Sequence, residues 1–194
     1  MSKIIGLTGG IGSGKTTIAK LFETMGIAIF IADEEGKKAT NLPEIKQKIV
    51  NLFGNAVLTD NEIDRSKLST IVFNNISHLQ MLNKIIHPMV KKIFEAWCIT
   101  NKNSAYILYE SAILFETNSG NNFFKTITVS APLDIRINRI KLRNGWDEDQ
   151  IKSRISNQWT DKQREEKADY TITNIDLNDT KNQIKSIYED LNKY

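Results

Sequence analysis

Short apolar runs alternate with longer segments of helical periodicity along most of this 194-residue chain. Five of the runs have the length and composition of buried strands. The predicted strands are Lys3–Leu7, Ile27–Ile31, Ala105–Tyr109, Lys125–Ser130 and Tyr170–Thr173. Amphipathic helical patterns separate most of them, so the sequence predicts an α/β domain with a mainly parallel sheet. Sheets of this kind bind ligands at the carboxyl ends of their strands.

The segment between the second and third predicted strands shows only helical patterns, and we predict no strand in it. Pro43 begins one predicted helix, Ser77 is a candidate cap for another, and Pro88 suits the first turn of a further helix. The predicted organisation is therefore a core of residues 1–33 and 105–194 with an all-helical insert at residues 34–104. The insert either adds packing or holds a substrate.

A phosphate-binding motif follows the first predicted strand directly. Residues 9–16 read GGIGSGKT, which matches G-x-x-x-x-G-K-[ST], and a helical pattern starts at Lys15. Glycines let the backbone wrap around phosphate oxygens, and the helix N-terminus favours negative charge. We expect Lys15 to reach the outer phosphates and the Thr16 hydroxyl to bind Mg²⁺. The residues predicted to bind ATP here are Gly10, Ile11, Gly12, Ser13, Gly14, Lys15, Thr16 and Thr17.

An arginine-rich helical pair is predicted from Pro132 to about Lys167, broken at Gly145, with Asp147 as the cap of the second helix. Arg139 and Arg143 are four residues apart and share a helix face. One interpretation is that Arg143 only interacts with the helix C-terminus. The other is a mobile lid, at about residues 139–165, that brings positive charge to a transferring phosphoryl group and excludes water.

Several acidic side chains follow predicted strands. Asp33 comes just after the second strand, where it either accepts the proton of an attacking hydroxyl or caps a helix. Glu110 ends the third strand, and Glu116 follows six residues later; either is a metal or substrate contact or an ordinary surface acid. His87, next to Pro88, is more simply explained as structural.

Composition excludes several classes of protein. The net charge of +3 is too small and too dispersed for a nucleic-acid surface. Cys98 is the sole cysteine, which excludes an internal disulfide and a cysteine zinc cluster. No apolar run approaches the ~18 residues of a membrane span, and the phosphate loop lies where a signal peptide would run. We expect a cytoplasmic protein without membrane partners, either a monomer or a weak homo-oligomer.

The chain resembles the dephospho-coenzyme A kinase family almost from end to end. The matching elements are Gly6 to Lys15, Ala32-Asp33, Phe53-Gly54, Asp64-Arg65, His87-Pro88, Ala112-Ile113-Leu114-Phe115-Glu116, Arg139, Arg143, Arg154-Ile155, Gln158, Ala168-Asp169-Tyr170 and Asn174. Many kinases share the loop, but His87-Pro88 together with Leu114-Phe115-Glu116 is more specific. The resemblance implies a P-loop kinase-like three-layer α/β/α fold with a five-stranded parallel sheet, a helical substrate-binding insert and a short helical lid.

The resemblance also implies the reaction, the transfer of the γ-phosphoryl group of ATP to the ribose 3′-hydroxyl of dephospho-coenzyme A with Mg²⁺. It adds Asn174 to the ATP site. The residues assigned to catalysis are Asp33, Lys15, Arg139 and Arg143, and those assigned to the acceptor are Asp33, Lys37, Arg65, His87 and Glu116.

Three positions depart from the family pattern. Ile31 replaces the first Asp of an Asp-Ala-Asp element, which leaves Asp33 alone. Lys37 stands where an Arg is common, so the positive charge is kept, but the two parallel hydrogen bonds that a guanidinium group can donate are lost. Thr16 replaces the commoner Ser, which is chemically neutral.

Three alternative functions compete with this interpretation. Another small-molecule kinase, such as a nucleoside monophosphate kinase, shares the loop, sheet and lid. A GTP-dependent switch needs an Asn-Lys-x-Asp guanine-binding motif, and residues 101–104 (NKNS) lack its Asp. A nucleic-acid-binding ATPase is weaker still, because the chain has no basic patch.

Overall fold

The structure is a computed structural model that describes residues 2–73, 75–117 and 122–193. The chain divides into two compact units. The first comprises Met1–Ile31 and Asn101–Tyr194, and the second comprises Ala32–Thr100. Asp33 therefore belongs to the second unit.

The first unit is built on a parallel sheet. Its strands are β1 (Lys3–Gly9), β2 (Ala28–Ile31), β5 (Tyr106–Glu110), β6 (Lys125–Ser130) and β7 (Tyr170–Thr173). They lie in the order β2-β5-β1-β6-β7, and each neighbouring pair is parallel. Its helices are α1 (Lys15–Glu23), α6 (Leu133–Asn144), α7 (Glu148–Ser156), α8 (Asp161–Glu165) and α9 (Leu177–Leu191). This confirms the predicted fold class and the five predicted strands.

One face of this sheet forms the main core. Ile5 and Leu7 of β1 lie beside Ile127 and Val129 of β6, and all four are fully buried. Alternate residues of a strand point to opposite faces, so Thr8 and Thr128, which are paired in register, lie on the other face. Helices α1 and α9 cover the apolar face with side chains at helical spacing. These are Ile18, Ala19, Phe22, Ile184, Ile187 and Leu191.

The arginine-rich segment has more helices than the pair we predicted. Helix α6 ends at Gly145, whose φ of 66° is left-handed and suits glycine. Asp147 caps α7, as predicted, and it also forms a capping box with Gln150. A third, short helix, α8, follows, and Thr160 and Gln163 form its own capping box.

The second unit is mainly helical and has its own core. Its helices are α2 (Ala32–Ala39), α3 (Pro43–Phe53), α4 (Arg65–Phe73) and α5 (Ile76–Thr100). A separate cluster of buried side chains comes from α3, α4 and the segment between them, and partly buried side chains of α5 pack against it. The cluster contains Ile45, Ile49, Val57, Ile63, Leu68 and Val72.

The expectation that the insert has no strand is wrong. Leu58–Thr59 (β3) and Glu62–Ile63 (β4) form a small antiparallel hairpin. Its two-residue turn, Asp60-Asn61, has φ values of 49° and 62°. Asp and Asn tolerate this conformation, which suits hairpin turns. Two-residue strands are too short to show an alternating pattern in the sequence.

The predicted helix start at Pro88 is also wrong, since Pro88 lies inside the 25-residue helix α5. Proline in a helix interior costs about 3 kcal/mol because it removes a backbone hydrogen bond and clashes with the preceding turn. Packing of α5 against α2, α3 and α4 keeps it continuous through this position. Its start is capped by the Asn75 side chain, which accepts hydrogen bonds from the N–H groups of Ser77 and His78, and not by Ser77.

Within the described residues, no helix combines the length and the apolar character needed to cross a membrane.

Candidate active site

The phosphate loop connects β1 to α1, as its motif predicts. Gly14 is the N-cap of α1 with φ 96° and ψ 22°, a left-handed conformation that glycine adopts without strain. No side chain caps this helix in the described structure. A helix N-terminus without a side-chain cap suits the binding of an anion.

Two side chains of the loop are arranged for a polar ligand. Lys15 folds back so that its Nζ donates to the Gly9 carbonyl at 3.0 Å. The Ser13 hydroxyl is buried, and within the described part of the chain it has no hydrogen-bond partner. Buried polar groups are normally paired, so this hydroxyl suits a site that is completed by a bound group.

Two predicted site residues from distant parts of the chain meet at the loop carbonyl of Ser13. Asn174 donates to it from Nδ2 at 2.7 Å, and Arg139 donates from Nη1 at 3.4 Å. A Cβ on Gly14 would lie 2.1 Å from the same Asn174 Nδ2, so only glycine fits. The structure thus places Asn174 and Arg139 against the phosphate loop, and their contact with ATP stays a prediction.

Arg136 and Gln158 also contact the loop, and the sequence did not single out Arg136 as a site residue. Arg136 donates from Nε to the Ile11 carbonyl at 2.9 Å, and the Ile11 N–H donates to Gln158 Oε1 at 2.9 Å. A Cβ on Gly10 would lie 2.2 Å from Arg136 Nη2. Nothing in the spacing of the arginines distinguishes Arg136 from its neighbours, and only the fold does so.

Arg143 is not brought to the loop. It lies in the last turn of α6, exposed, and its Nε donates to Asn144 Oδ1 at 2.8 Å. It is four residues, or about 6 Å along the helix axis, beyond Arg139. Its catalytic role stays a prediction that requires movement of the lid.

Glu116 binds the segment after α7. Its Oε1 accepts from the Trp159 N–H at 3.1 Å and from Arg164 Nη2 at 3.3 Å. Arg164 is fully buried, and burial lowers the pKa of its guanidinium, while the carboxylates of Glu116 and Asp161 act in the opposite direction. Glu116 therefore holds this segment in place, and its contact with an acceptor stays a prediction.

Two oxygen-bearing side chains, from the phosphate loop helix and from the end of β5, are candidates for a metal. Thr16 is exposed in the first turn of α1. Glu110 is 2% exposed and ends β5, opposite Leu7 of β1. In the described part of the chain there is no group of three or more His, Cys, Asp or Glu side chains that could hold a metal. This donor set fits Mg²⁺, which usually binds one or two protein oxygens together with substrate phosphates and water.

The predicted acceptor residues of the insert lie on two of its helices and at the start of a third. Asp33 and Lys37 are exposed on α2, and Asp33, in the first turn, is not its N-cap. Arg65 begins α4 and donates from Nη2 to the Lys37 carbonyl at 3.2 Å. His87 is half-buried on α5; burial lowers its pKa, and the Asp33 carboxylate acts in the opposite direction.

Close packing of α2 on α5 explains why Asp33 influences His87. A Cβ on Gly36 would lie 3.4 Å from Ile86 Cγ2 and 3.7 Å from Val90 Cγ2. Asp33 lies one turn before Gly36 on α2, and His87 follows Ile86 on α5. The structure thus brings four of the predicted acceptor residues into one unit.

The family model and the similar proteins found by comparison indicate the same family. A family model described as dephospho-CoA kinase matches residues 3–179. A dephospho-CoA kinase from a gamma-proteobacterium, EBAC31A08, is 38% identical over 192 residues, which covers 95% of both chains. One from Bacteroides fragilis is 37% identical over 172 residues and covers 88% of this chain and 83% of that protein.

Solved structures agree in fold. The crystal structure of TT1252 from Thermus thermophilus has a TM-score of 0.87 at 26% identity and covers 98% of both chains. A dephospho-CoA kinase from Campylobacter jejuni has a TM-score of 0.69 at 26% identity, with 100% of this chain and 98% of that chain covered. The extent of the family match and the identity of the relatives are sufficient for assignment, and the chain belongs to the dephospho-CoA kinase family.

Proposed function

We propose that this protein transfers the γ-phosphoryl group of ATP to the ribose 3′-hydroxyl of dephospho-CoA. The observation that carries the proposal is the phosphate loop between β1 and α1, in a chain that matches the dephospho-CoA kinase family over residues 3–179. The loop indicates where the phosphate donor binds, and the family match indicates which acceptor is phosphorylated.

The donor phosphates bind to the loop amides and to the start of α1. Lys15 exchanges its bond to the Gly9 carbonyl for a phosphate oxygen. Arg139, already against the Ser13 carbonyl, offers a second positive charge to the transferring group. Phosphoryl transfer depends mainly on positioning and charge stabilisation, and removal of such a cation costs about a thousandfold or more in rate.

The Thr16 hydroxyl would hold Mg²⁺ together with the nucleotide phosphates and water. When bound, the ion neutralises charge on the phosphate oxygens. The exposed position of Thr16 in the first turn of α1 supports this assignment.

The acceptor hydroxyl is oriented by Asp33. Because Ile31 replaces the family's first Asp, Asp33 has no companion carboxylate two residues before it. Lys37, Arg65 and His87, in the same unit, frame the coenzyme, and the positive charges of Lys37 and Arg65 suit its phosphates. The lid at about residues 139–165 brings Arg143 to the site when it closes.

An acceptor panel tests the proposal. The purified chain is given ATP and Mg²⁺ with dephospho-CoA, AMP, CMP or shikimate, and ADP release is followed. Of the four acceptors, we expect only dephospho-CoA to raise ADP release well above the rate of ATP hydrolysis without an acceptor. NMR of the product should show a 3′-phosphate. Faster turnover of AMP or CMP, or phosphorylation at another position, would contradict the proposal.

A further inference from the structure

Ile11, at the tip of the phosphate loop, is held through both of its backbone polar groups. Its carbonyl accepts from Arg136 Nε at 2.9 Å, and its N–H donates to Gln158 Oε1 at 2.9 Å. The two side chains come from different elements, α6 and the segment between α7 and α8. The position of the loop tip therefore depends on how these two elements are held together.

Asp161 connects them. Its Oδ2 accepts from Arg136 Nη1 at 2.9 Å, and its Oδ1 accepts from Arg164 Nη1 at 3.2 Å. Arg164 in turn donates from Nη2 to Glu116 Oε1 at 3.3 Å. The result is a continuous chain of charges that runs from Glu116 through Arg164, Asp161 and Arg136 to the loop.

Both guanidinium groups in this chain are removed from solvent. The side chains of Arg136 and Arg164 are 6% and 0% exposed, and that of Asp161 is 24% exposed. Removal of one partner from a buried ion pair leaves an uncompensated charge, which is strongly unfavourable. Without the Asp161 carboxylate, two buried positive charges would face each other, and the Arg136 guanidinium would move away from Ile11.

The local sequence fixes Asp161 in this position. Thr160 and Gln163 form a capping box at the start of α8, so Asp161 is its first helical residue. Two residues earlier, the Trp159 N–H donates to Glu116 Oε1 at 3.1 Å. Asp161 and Gln158 thus lie on one anchored stretch of chain that contacts the loop through Gln158 directly and through Arg136 indirectly.

We propose that Asp161 is a positioning residue for the nucleotide site: it holds Arg136 against Ile11 and so maintains the shape of the loop that receives the phosphates of ATP. The inference rests on the proposed function for its kinetic test but not for its binding test. Asp161 has no contact with substrate in this role and acts through Arg136.

The decisive variant is Asp161→Asn, which keeps the shape of the side chain and removes its charge. We expect the Kd for ADP, measured by calorimetry without acceptor, and the KM for ATP to rise by about tenfold, which corresponds to ~1.4 kcal/mol. The KM for dephospho-CoA and the kcat at saturating ATP should change by less than about threefold. The reason is that the variant weakens nucleotide binding equally in the ground state and in the transition state.

Asp149→Asn is the matched control. Asp149 is an exposed acid in the first turn of α7, on the same arginine-rich segment. This variant should keep the nucleotide affinity of the wild type. Asp161→Glu keeps the charge and should recover most of the affinity lost in Asp161→Asn.

An unchanged ADP affinity in folded Asp161→Asn overturns the proposal. So does a loss of active protein with the KM for ATP unaltered, since that result indicates a purely structural role. If Asp161→Asn does not fold, Arg136→Lys removes the fork that contacts both Ile11 and Asp161, and the proposal requires it to weaken ADP binding as well. Failure of the wild type to phosphorylate dephospho-CoA would contradict the proposed function alone, because the ADP comparison does not involve the acceptor.

A double-mutant cycle tests whether Asp161 affects nucleotide binding through Arg136. Arg136→Lys keeps the charge but loses the fork that contacts both Ile11 and Asp161. If Asp161 acts through Arg136, the double variant with Asp161→Asn should bind ADP about as weakly as the more affected single variant. Additive losses would show that Asp161 acts by another route and would overturn the proposal.

Discussion

In the proposed function, the acceptor half of the reaction depends on Asp33. From the sequence, Asp33 is either a catalytic residue or a helix cap. The structure places it in the first turn of α2 and not at the N-cap, so capping does not account for it. A carboxylate there still interacts favourably with the helix dipole, a contribution of about 0.3–1 kcal/mol at an exposed site.

Replacement of Asp33 by Asn separates these roles. We expect Asp33→Asn to lower kcat by about a hundredfold or more, which is the usual contribution of a group that handles a proton. The affinity for ADP should stay at the wild-type value. The matched control, Glu34→Gln, changes the neighbouring carboxylate of the same helix turn and should keep kcat. Normal turnover by Asp33→Asn would show that Asp33 has no catalytic role.

His87 gives the second unit a predictable dependence on pH. Burial lowers its pKa from the ordinary value of 6.5, so the unfolded chain takes up this proton more readily than the folded chain. Stability therefore rises with pH through the range between the lowered pKa and 6.5, and it is lost as the pH falls through that range.

The corresponding measurement is thermal unfolding between about pH 7 and pH 5. We expect His87→Gln to reduce the loss of Tm on acidification relative to the wild type. Lys84→Gln, on the same helix, is the control, because Lys does not titrate in this range. An identical pH profile for His87→Gln and the wild type would mean that His87 is not protonated on unfolding.

At the scale of elements, capping signals explain several helix boundaries. Gly145 and Asp147 predicted the break between α6 and α7, and both have the expected geometry. The same type of signal failed at α5, where Pro88 suggested a start and packing produced one long helix. Local signals decide a helix boundary only where tertiary contacts do not oppose them.

Helix α9 offers a test of capping energetics. Asp176 is its N-cap and accepts from the N–H groups of Asn178 and Asp179 at 2.8 and 3.0 Å. We expect Asp176→Ala to lower the free energy of unfolding by about 1 kcal/mol. Chemical denaturation measures this change, and Glu189→Ala, an exposed acid of the same helix, should have a much smaller effect. A loss no larger than that of the control would contradict the assigned cap.

At the scale of the whole molecule, each unit has its own buried core. Nucleotide binding is assigned to the first unit, so ATP should stabilise that unit against unfolding. At a concentration of about 100 times its Kd, a ligand that binds only the folded state contributes about 2.7 kcal/mol.

Thermal unfolding with and without ATP checks this coupling. We expect Lys15→Ala to lose most of the stabilisation by ATP, because its Nζ no longer reaches the phosphates. Lys20→Ala, which removes an exposed lysine from the same helix, should keep it. Equal stabilisation of Lys15→Ala and the wild type would contradict the assignment of the phosphate loop.

The sequence by itself determined the parallel sheet, the position of the phosphate loop and the break at Gly145. Each of these depends on local physics: apolar runs of strand length, glycines where the backbone turns, and capping residues at helix ends. The same local signals located Lys15 and Thr16, since their proposed roles follow from their place in one short motif.

Only the tertiary structure decided which distant side chains meet. Asn174 and Arg139 converge on Ser13, and Arg136 reaches Ile11 across 125 positions of sequence. The order of the strands brings these elements to one edge of the sheet, and no local pattern encodes that order. The continuity of α5 and the ion pairs around Asp161 are likewise set by packing, because they depend on contacts between segments that are separate in the chain. The hairpin β3–β4 is also held from outside, since its Ile63 N–H donates to Asn41 Oδ1.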